Sequence, residues 1–366
     1  MPSVGGNHDE VTAAMRQLIE LTQAVAPSVH LVFVTNLRSG ELRDIGPDGV
    51  DNEAQYYTLL EAEGIIRSFQ SLGVTVESHF NERDFLSAAV GLHDRLHGRQ
   101  PVVYTAAEGG TGSGRRALIP AVCNLLSFPV LNSGPHACSI ARHKMHANAV
   151  LERAAVRVPA TWMFKDGAWL GSRPARGARV IVKPTYESMA IGVEESSVCT
   201  IDDAFDALVR AKHRQFRQPV IVQEFITGEE VGVPIVRIGK TYALPVVAFR
   251  RADGSLFGSR PRTFHAENID QDTSFALYEA QSTAYQALQE QAVAAFDALE
   301  MDGVGRIDFR IDADGRSWAF DTNESPPPMA STSYAYSMQS LGFSFTDMLT
   351  VWVGACLLEA GLISRV

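Results

Sequence analysis

Cysteine is scarce: four thiols in 366 residues, at Cys123, Cys138, Cys199 and Cys356, with no two at CxxC spacing. That spacing offers no dithiol or zinc-ribbon centre, and the four read as small buried apolar residues. The ten histidines include no HExxH, so zinc catalysis has no support. No apolar run approaches the ~18 residues a membrane span needs. Positive charge is also short, 32 Lys and Arg against 42 Asp and Glu, a net charge of −10. Such a chain is a poor partner for nucleic acid or an anionic membrane, and any phosphorylated ligand requires basic residues placed in a local pocket. The opening MPSVGGNHDE lacks the basic and apolar segments of a signal peptide, so a cytoplasmic location is expected.

What is present is ordinary for a globular enzyme: 46% apolar and 20% charged residues, which excludes wholesale disorder. The length predicts two or three structural units. A helical pattern over 12–24 precedes an apolar run of strand length at 30–35; a Gly/Pro/Asp-rich loop over 39–51 is followed by helical spacing over 53–72, which stops at Gly73. Strand-like segments at 74–76 and 101–104 complete an alternation of strands and helices, which implies parallel βαβ units in roughly the first 130 residues. Beyond these, 180–182, 220–223, 231–236, 244–249, 306–311 and 318–321 read as short strands. Turn signals at Asp253-Gly254 and Asp314-Gly315 and helices over 201–212 and 275–299 make this an antiparallel α+β region.

Three groups of residues carry chemistry. Asp308 and Asp321 are expected to face each other across the hairpin turned at Asp314-Gly315, with Asn323 on the same face as Asp321. Two carboxylates and an amide oxygen suit Mg²⁺, which takes a few protein ligands and completes its shell with phosphate oxygens; solvated hairpin charges are the bland alternative. Lys183 leaves a strand into Pro184 and the loop from Tyr186 through Glu187 and Ser188 to Gly192, an element able to close over phosphates through backbone N–H groups, or a plain loop with a surface lysine. Gln223-Glu224-Phe225-Ile226 followed by Glu229-Glu230 could hydrogen-bond a flat base and a ribose diol, or form a hairpin with an acidic turn.

The order of these pieces, with Asn132-Ser133-Gly134, Lys144 ten residues after Gly134, Val156-Arg157-Val158-Pro159, and Glu108-Gly109 with Pro120-Ala121, resembles the D-alanine–D-alanine ligase branch of the ATP-grasp superfamily over about residues 100–355. The resemblance implies an ATP-grasp fold: an open parallel α/β domain over 1–132, a central lid domain over 133–228, and a C-terminal nucleotide and metal domain over 229–366. It implies ATP as cofactor, with Mg²⁺ (Mn²⁺ as substitute) on Asp308, Asp321 and Asn323. Lys144 and Lys183 would meet the phosphates beside the Glu187 loop, Gln223, Glu224 and Ile226 the adenine, and Glu230 the ribose. Arg306 would lie over the acyl centre, and Ser333 near the carboxylate of the second substrate. The implied reaction joins a carboxylate and an amine of small amino-acid-like substrates through an acyl phosphate. The alternatives are an intramolecular cyclo-ligase and a non-catalytic ATP-binding protein. A homodimer is the one macromolecular partner considered; nucleic acid and membrane are not expected. The chain departs from the family pattern at Pro326-Pro327-Pro328, where a glycine N–H is usual, and at the loop tip Ser188-Met189-Ala190, where the ligases carry Gly-Ser-Ser. The N-terminal Gly-Gly…Ser…Glu motif is not found at its place. These departures point away from D-alanine as substrate.

Overall fold

Strand β1 (Val29–Val34) is apolar almost throughout because both its faces are covered. Leu31 and Phe33 enter one core, while Val32 and Val34 enter another with Phe85, Leu92 and Ile119. With β2 (Thr75–His79) and β3 (Gln100–Thr105) it forms a parallel sheet in the order β2-β1-β3, as the alternating pattern predicts. This computed structural model describes residues 6–40, 52–110, 112–270 and 272–364; most of the expected 39–51 loop lies outside them.

The second sheet, in the order β5-β4-β8-β6-β7, is antiparallel: β4 (Thr161–Lys165), β5 (Ala168–Leu170), β6 (Arg179–Pro184), β7 (Val198–Thr200) and β8 (Val220–Glu224). One face packs Val180, Val182, Val220 and Val222 on Phe205 and Val209 of helix Phe205–Phe216. Strand alternation therefore turns Ile181, Lys183 and Gln223 to the opposite face.

The third sheet comprises β9 (Glu229–Ile238), β10 (Lys240–Ala243), β11 (Val247–Arg250), β12 (Ser274–Leu277), β13 (Val304–Ile311) and β14 (Ser317–Asn323). Its path is β12-β11-β9-β13-β14, with β10 beside β9, and each pairing is antiparallel. Helix Ser282–Ala298 covers one face, meeting Val231, Val233, Ile307 and Phe309. The three sheets thus fall within 1–132, 133–228 and 229–366 respectively. The first and last helices, Gly6–Val25 and Phe345–Glu359, share one core. They approach so closely that a Cβ on Gly354 would lie 2.2 Å from Thr22 Oγ1. Among the described residues no single helix is long and apolar enough to cross a membrane.

Three expectations about local structure are corrected. The 53–72 segment is a short 3-10 turn, Asn52–Gln55, followed by helix Leu59–Gln70, because Thr58 and Glu61 form a reciprocal capping box that fixes the start. The 275–299 segment opens as strand β12, where Phe275 pairs with Phe249 at a ring separation of 5.8 Å, and the helix begins only at Ser282. Cross-strand aromatic packing here overrides helical periodicity. The Asp253-Gly254 turn does not join paired strands; it closes between Arg251 and Ser255, and the chain runs on to residue 274 before pairing back onto β11.

Candidate active site

The β13–β14 hairpin closes through Asp312 and Gly315, the latter at φ +78°, a conformation glycine adopts without strain. Its register sets Asp308 opposite Asp321 and Arg306 opposite Asn323, with an irregularity after Asp308. Alternation sends Ile307, Phe309 and Ile311 into the core and Arg306, Asp308 and Arg310 to the other face. Arg306 donates to both carboxylate oxygens of Asp308, from Nε at 2.6 Å and Nη2 at 2.8 Å, and from Nη1 to Ser333 Oγ at 3.2 Å. Burial raises the pKa of Asp308 despite this pairing with Arg306. Phe249 supports the group from below, its ring 5.5 Å from the Arg306 guanidinium and 4.1 Å from that of Arg262.

Glu230 is buried and already held. Arg310 donates to it at 2.9 Å and Arg262 lies 3.3 Å away. Arg310 also donates to the carbonyl of Ile226 at 3.2 Å and to those of Gly258 and Arg260. Neither arginine was singled out from sequence. The signal for Arg310 was present in the i, i+2, i+4 alternation of Arg306, Asp308 and Arg310, whereas nothing local marks Arg262.

Lys183 is buried on the β6 face, 5.6 Å from the Phe320 ring, and burial lowers its pKa to about 8, the nearby Asp321 opposing the shift. Burial also lowers the pKa of Lys144, whose Nζ lies 3.8 Å from Asp321 Oδ1. Burial pushes Asp321 up, but Lys144, Lys183 and Arg306 outweigh it and hold the carboxyl below its ordinary value. The loop after Pro184 carries Met189 and Ala190 at positive φ and Gly192 at φ +76°. It is tied down at several points: Lys144 Nζ donates to Glu187 O at 2.5 Å, Gln218 and Gln55 donate to the Glu187 carboxylate, and Asn268 donates to Met189 O. Arg115 also reaches Glu187, at 2.9 Å. Glu187, expected beside the nucleotide, therefore serves at least as the anchor of this loop.

The pair Gln223-Glu224 is split by strand alternation. Gln223 is buried on the Lys183 face and donates to Thr161 Oγ1, while Glu224 is exposed. All the expected site residues except Asp308 line one cavity of about 720 Å³. Asp308 stands behind it, gripped by Arg306. Opposite, Glu108 is buried against Arg115 at 3.3 Å, Arg116 at 2.7 Å and Arg142, and Arg116 reaches on to Glu324 at 3.2 Å. Arg115 and Arg116 come from one turn and Arg142 from the end of helix Pro135–Arg142, so no single motif announces the cluster.

Among the described residues no three His, Cys, Asp or Glu side chains converge on a metal position. Asp321 and Asn323 face the cavity; Asn323 Oδ1 accepts from Ser325 N at 3.1 Å and keeps a second lone pair. The Asp308 oxygens likewise each retain a lone pair beside Arg306. Few hard oxygen donors at the edge of a lysine-lined cavity fit Mg²⁺, which relies on phosphate and water for the remainder.

Three sheets around this cavity make an ATP-grasp enzyme fold. Residues 169–353, half of the chain, match the family model described as D-ala D-ala ligase C-terminus, and the chain belongs to the D-alanine–D-alanine ligase family of ATP-dependent ligases. A D-alanine--D-alanine ligase of Bordetella petrii is 28% identical over 300 residues, covering 80% of this chain and 85% of that protein. One from Halalkalibacterium halodurans is 25% identical over 320 residues, covering 82% and 94%. The solved D-alanine--D-alanine ligase from Bacillus anthracis complexed with ATP matches with a TM-score of 0.66 at 14% identity, over 91% of this chain and 99% of that one, a likeness of fold.

Proposed function

We propose that the protein joins the carboxylate of one small amino-acid-like substrate to the amine of another, using ATP and releasing ADP and phosphate. The observation that carries this reading is the convergence of Lys144, Lys183, Asp321, Asn323, Arg306 and Ser333 on one cavity. A carboxylate is a poor electrophile until one of its oxygens takes the γ-phosphoryl group; the amine then attacks the acyl carbon and that oxygen departs with phosphate. Asp321 and Asn323, with Asp308 behind them, would hold Mg²⁺, and the charge it supplies there would help neutralise the transferring group. Lys144 and Lys183 hold the phosphates as point charges. Gln223 and Ile226, in the link between β8 and β9, flank the base, Glu224 sits at the rim, and Glu230 meets the ribose while staying fixed by Arg310. The loop anchored by Glu187 shields the acyl phosphate from water.

Arg306 is the group we assign to the developing oxyanion, with Ser333 beside it. Pro326, Pro327 and Pro328 have no backbone N–H to offer, so Arg306 or a hydroxyl of Ser331 or Ser333 takes that part. Arg306→Lys is expected to lower kcat about a hundredfold, since an ammonium cannot copy the fork that spans Asp308 and the acyl centre. ATP affinity should hardly change. Steady-state kinetics and a nucleotide titration check this; lost ATP affinity with a normal saturated rate would move Arg306 to the phosphates. The substrate is read as other than D-alanine, on the grounds of the bulkier Met189-Ala190 loop tip and the three prolines.

Lys183 gives a pH prediction. Its free-enzyme pKa of about 8 means the charge is lost as pH rises through that value, while a bound triphosphate favours the charged form and raises it. The ATP dissociation constant should therefore weaken by about tenfold per unit above pH 8 until the bound-state pKa is reached. Lys183→Arg, which stays charged, should flatten that slope. A slope that persists in the arginine variant would assign the titration elsewhere.

A further inference from the structure

The tip of the loop after Pro184 is strained. Met189 (φ +52°) and Ala190 (φ +54°) are successive non-glycine residues in the left-handed region. A Cβ makes that conformation unfavourable, so such a tip keeps its shape only where its surroundings hold it. On the N-terminal side the holding group is Gln55, the last residue of turn Asn52–Gln55. Its Oε1 accepts from Ser188 Oγ at 2.9 Å and from Arg142 Nη2 at 2.6 Å, and its Nε2 donates to Glu187 at 3.2 Å. With both lone pairs of the carbonyl taken and a carboxylate in front of the NH₂ group, the direction of the amide is fixed. The mount is firm. Arg142 also pairs with Glu108, Leu37 bridges Tyr57, and Arg38 N donates to Tyr57 O at 2.8 Å. The Arg38 guanidinium lies 4.0 Å from Glu61, in the first turn of the next helix. Gln55, Ser188 and Met189 all line the cavity, so the contact ties the loop to the cavity's N-terminal wall. Ser188 stands where the ligases carry glycine, which has no hydroxyl to offer.

We propose that Gln55 and Ser188 form a latch that keeps this loop closed over the cavity. Gln55 touches no reacting atom; it is a positioning residue that acts through Ser188 and Glu187. The consequence for the reaction rests on the ligase reading, whereas the latch itself is measured without it. A closed loop keeps water from the acyl carbon. With the latch undone, water takes the place of the amine at that carbon, phosphate leaves, the free carboxylate is regenerated, and ATP is consumed without an amide.

The test is amide hydrogen exchange of the whole protein, read at Ile191 and Val193, which donate to Ser188 O at 3.0 Å and Ala190 O at 2.9 Å. Ser188→Ala should speed their exchange about fivefold, the range of one net hydrogen bond. Gln55→Ala should speed it about tenfold or more, because the bond to Glu187 goes as well. Added to Gln55→Ala, Ser188→Ala should have no further effect, since the hydroxyl has already lost its partner. Unchanged exchange in both single variants, or a Ser188→Ala effect that persists in full without Gln55, overturns the latch. The second readout is amide formed per ADP. The parent should give about one, and Gln55→Ala a ratio lower by about twofold or more; a merely structural role would lower both products together and leave the ratio alone. Faster exchange with the parental ratio overturns the positioning role. The two readings fail separately. The stated exchange shifts with no ADP from any donor and amine keep the latch and discard the ligase; ADP and amide in the parental ratio with unchanged exchange keep the ligase and discard the latch.

Discussion

Asp321→Asn should release ADP about a thousandfold more slowly than the parent protein while remaining folded and able to bind nucleotide. The substitution keeps the shape of the side chain and removes the charge that faces Lys144 at 3.8 Å. Burial alone would favour a neutral Asp321; the surrounding Lys144, Lys183 and Arg306 keep it ionised. An ionised oxygen at the cavity edge is what a divalent ion needs, and the ion supplies several kcal/mol to phosphoryl transfer, about 4 kcal/mol corresponding to the stated thousandfold. Rapid-quench measurement of ADP, with circular dichroism as a control for folding, checks it. A variant that turns over at the parental rate would take the metal away from this hairpin.

The second large effect falls on stability. Glu108 is 4% exposed and shared among Arg115, Arg116 and Arg142. Glu108→Ala leaves three guanidinium groups, none more than 12% exposed, crowded together with one neutralising carboxylate fewer. Breaking a buried ion cluster by removing one partner costs about 3–5 kcal/mol, far more than an exposed pair would. Denaturant unfolding should show that loss at neutral pH. The acid limb gives an independent check of sign. Burial pushes Glu108 up, but Arg142, Arg116 and Arg115 outweigh it and lower its pKa. Its stabilisation is therefore full above the ordinary carboxylate range and disappears as pH falls through the lowered folded value. The gap between parent and variant should narrow in that acid window. A gap independent of pH would mean that lost packing, not charge, is responsible.

The hairpin of Asp308, Asp321 and Asn323 was legible because its information is local: an Asp-Gly turn and strand alternation fix which side chains meet. The parallel sheet was legible for the same reason, since β1 is an uninterrupted apolar run between helical patterns. Errors arose where tertiary pairing decides, as at Phe275, which follows helical spacing but is recruited into a strand by Phe249. They arose also where a cap decides, as at Thr58. The site divides along the same line. Lys183 and Gln223 were picked out from one segment each and Arg306 through the family resemblance, and all three line the cavity. Arg38, Arg115, Arg116, Arg142 and Arg262 acquire meaning only when Glu61, Glu108, Glu187, Glu230 and Glu324 are brought to them by folding. Asp308 illustrates both limits: its strand position was correct, but its grip on Arg306 from behind the cavity wall lay beyond any reading of spacing.

The proposed reaction turns on transfer of a phosphoryl group to a substrate carboxylate. The most direct measurement supplies a donor whose carboxylate carries heavy oxygen, together with ATP, Mg²⁺ and an amine, using the donor–amine combination that gives the fastest ADP release. The released phosphate is then analysed by mass spectrometry. An acyl phosphate requires one carboxylate oxygen to leave with phosphorus when the amine attacks, so each phosphate should carry one heavy oxygen, in equal amount to the amide formed. Unlabelled phosphate accompanying ADP, or label appearing in AMP, would contradict it.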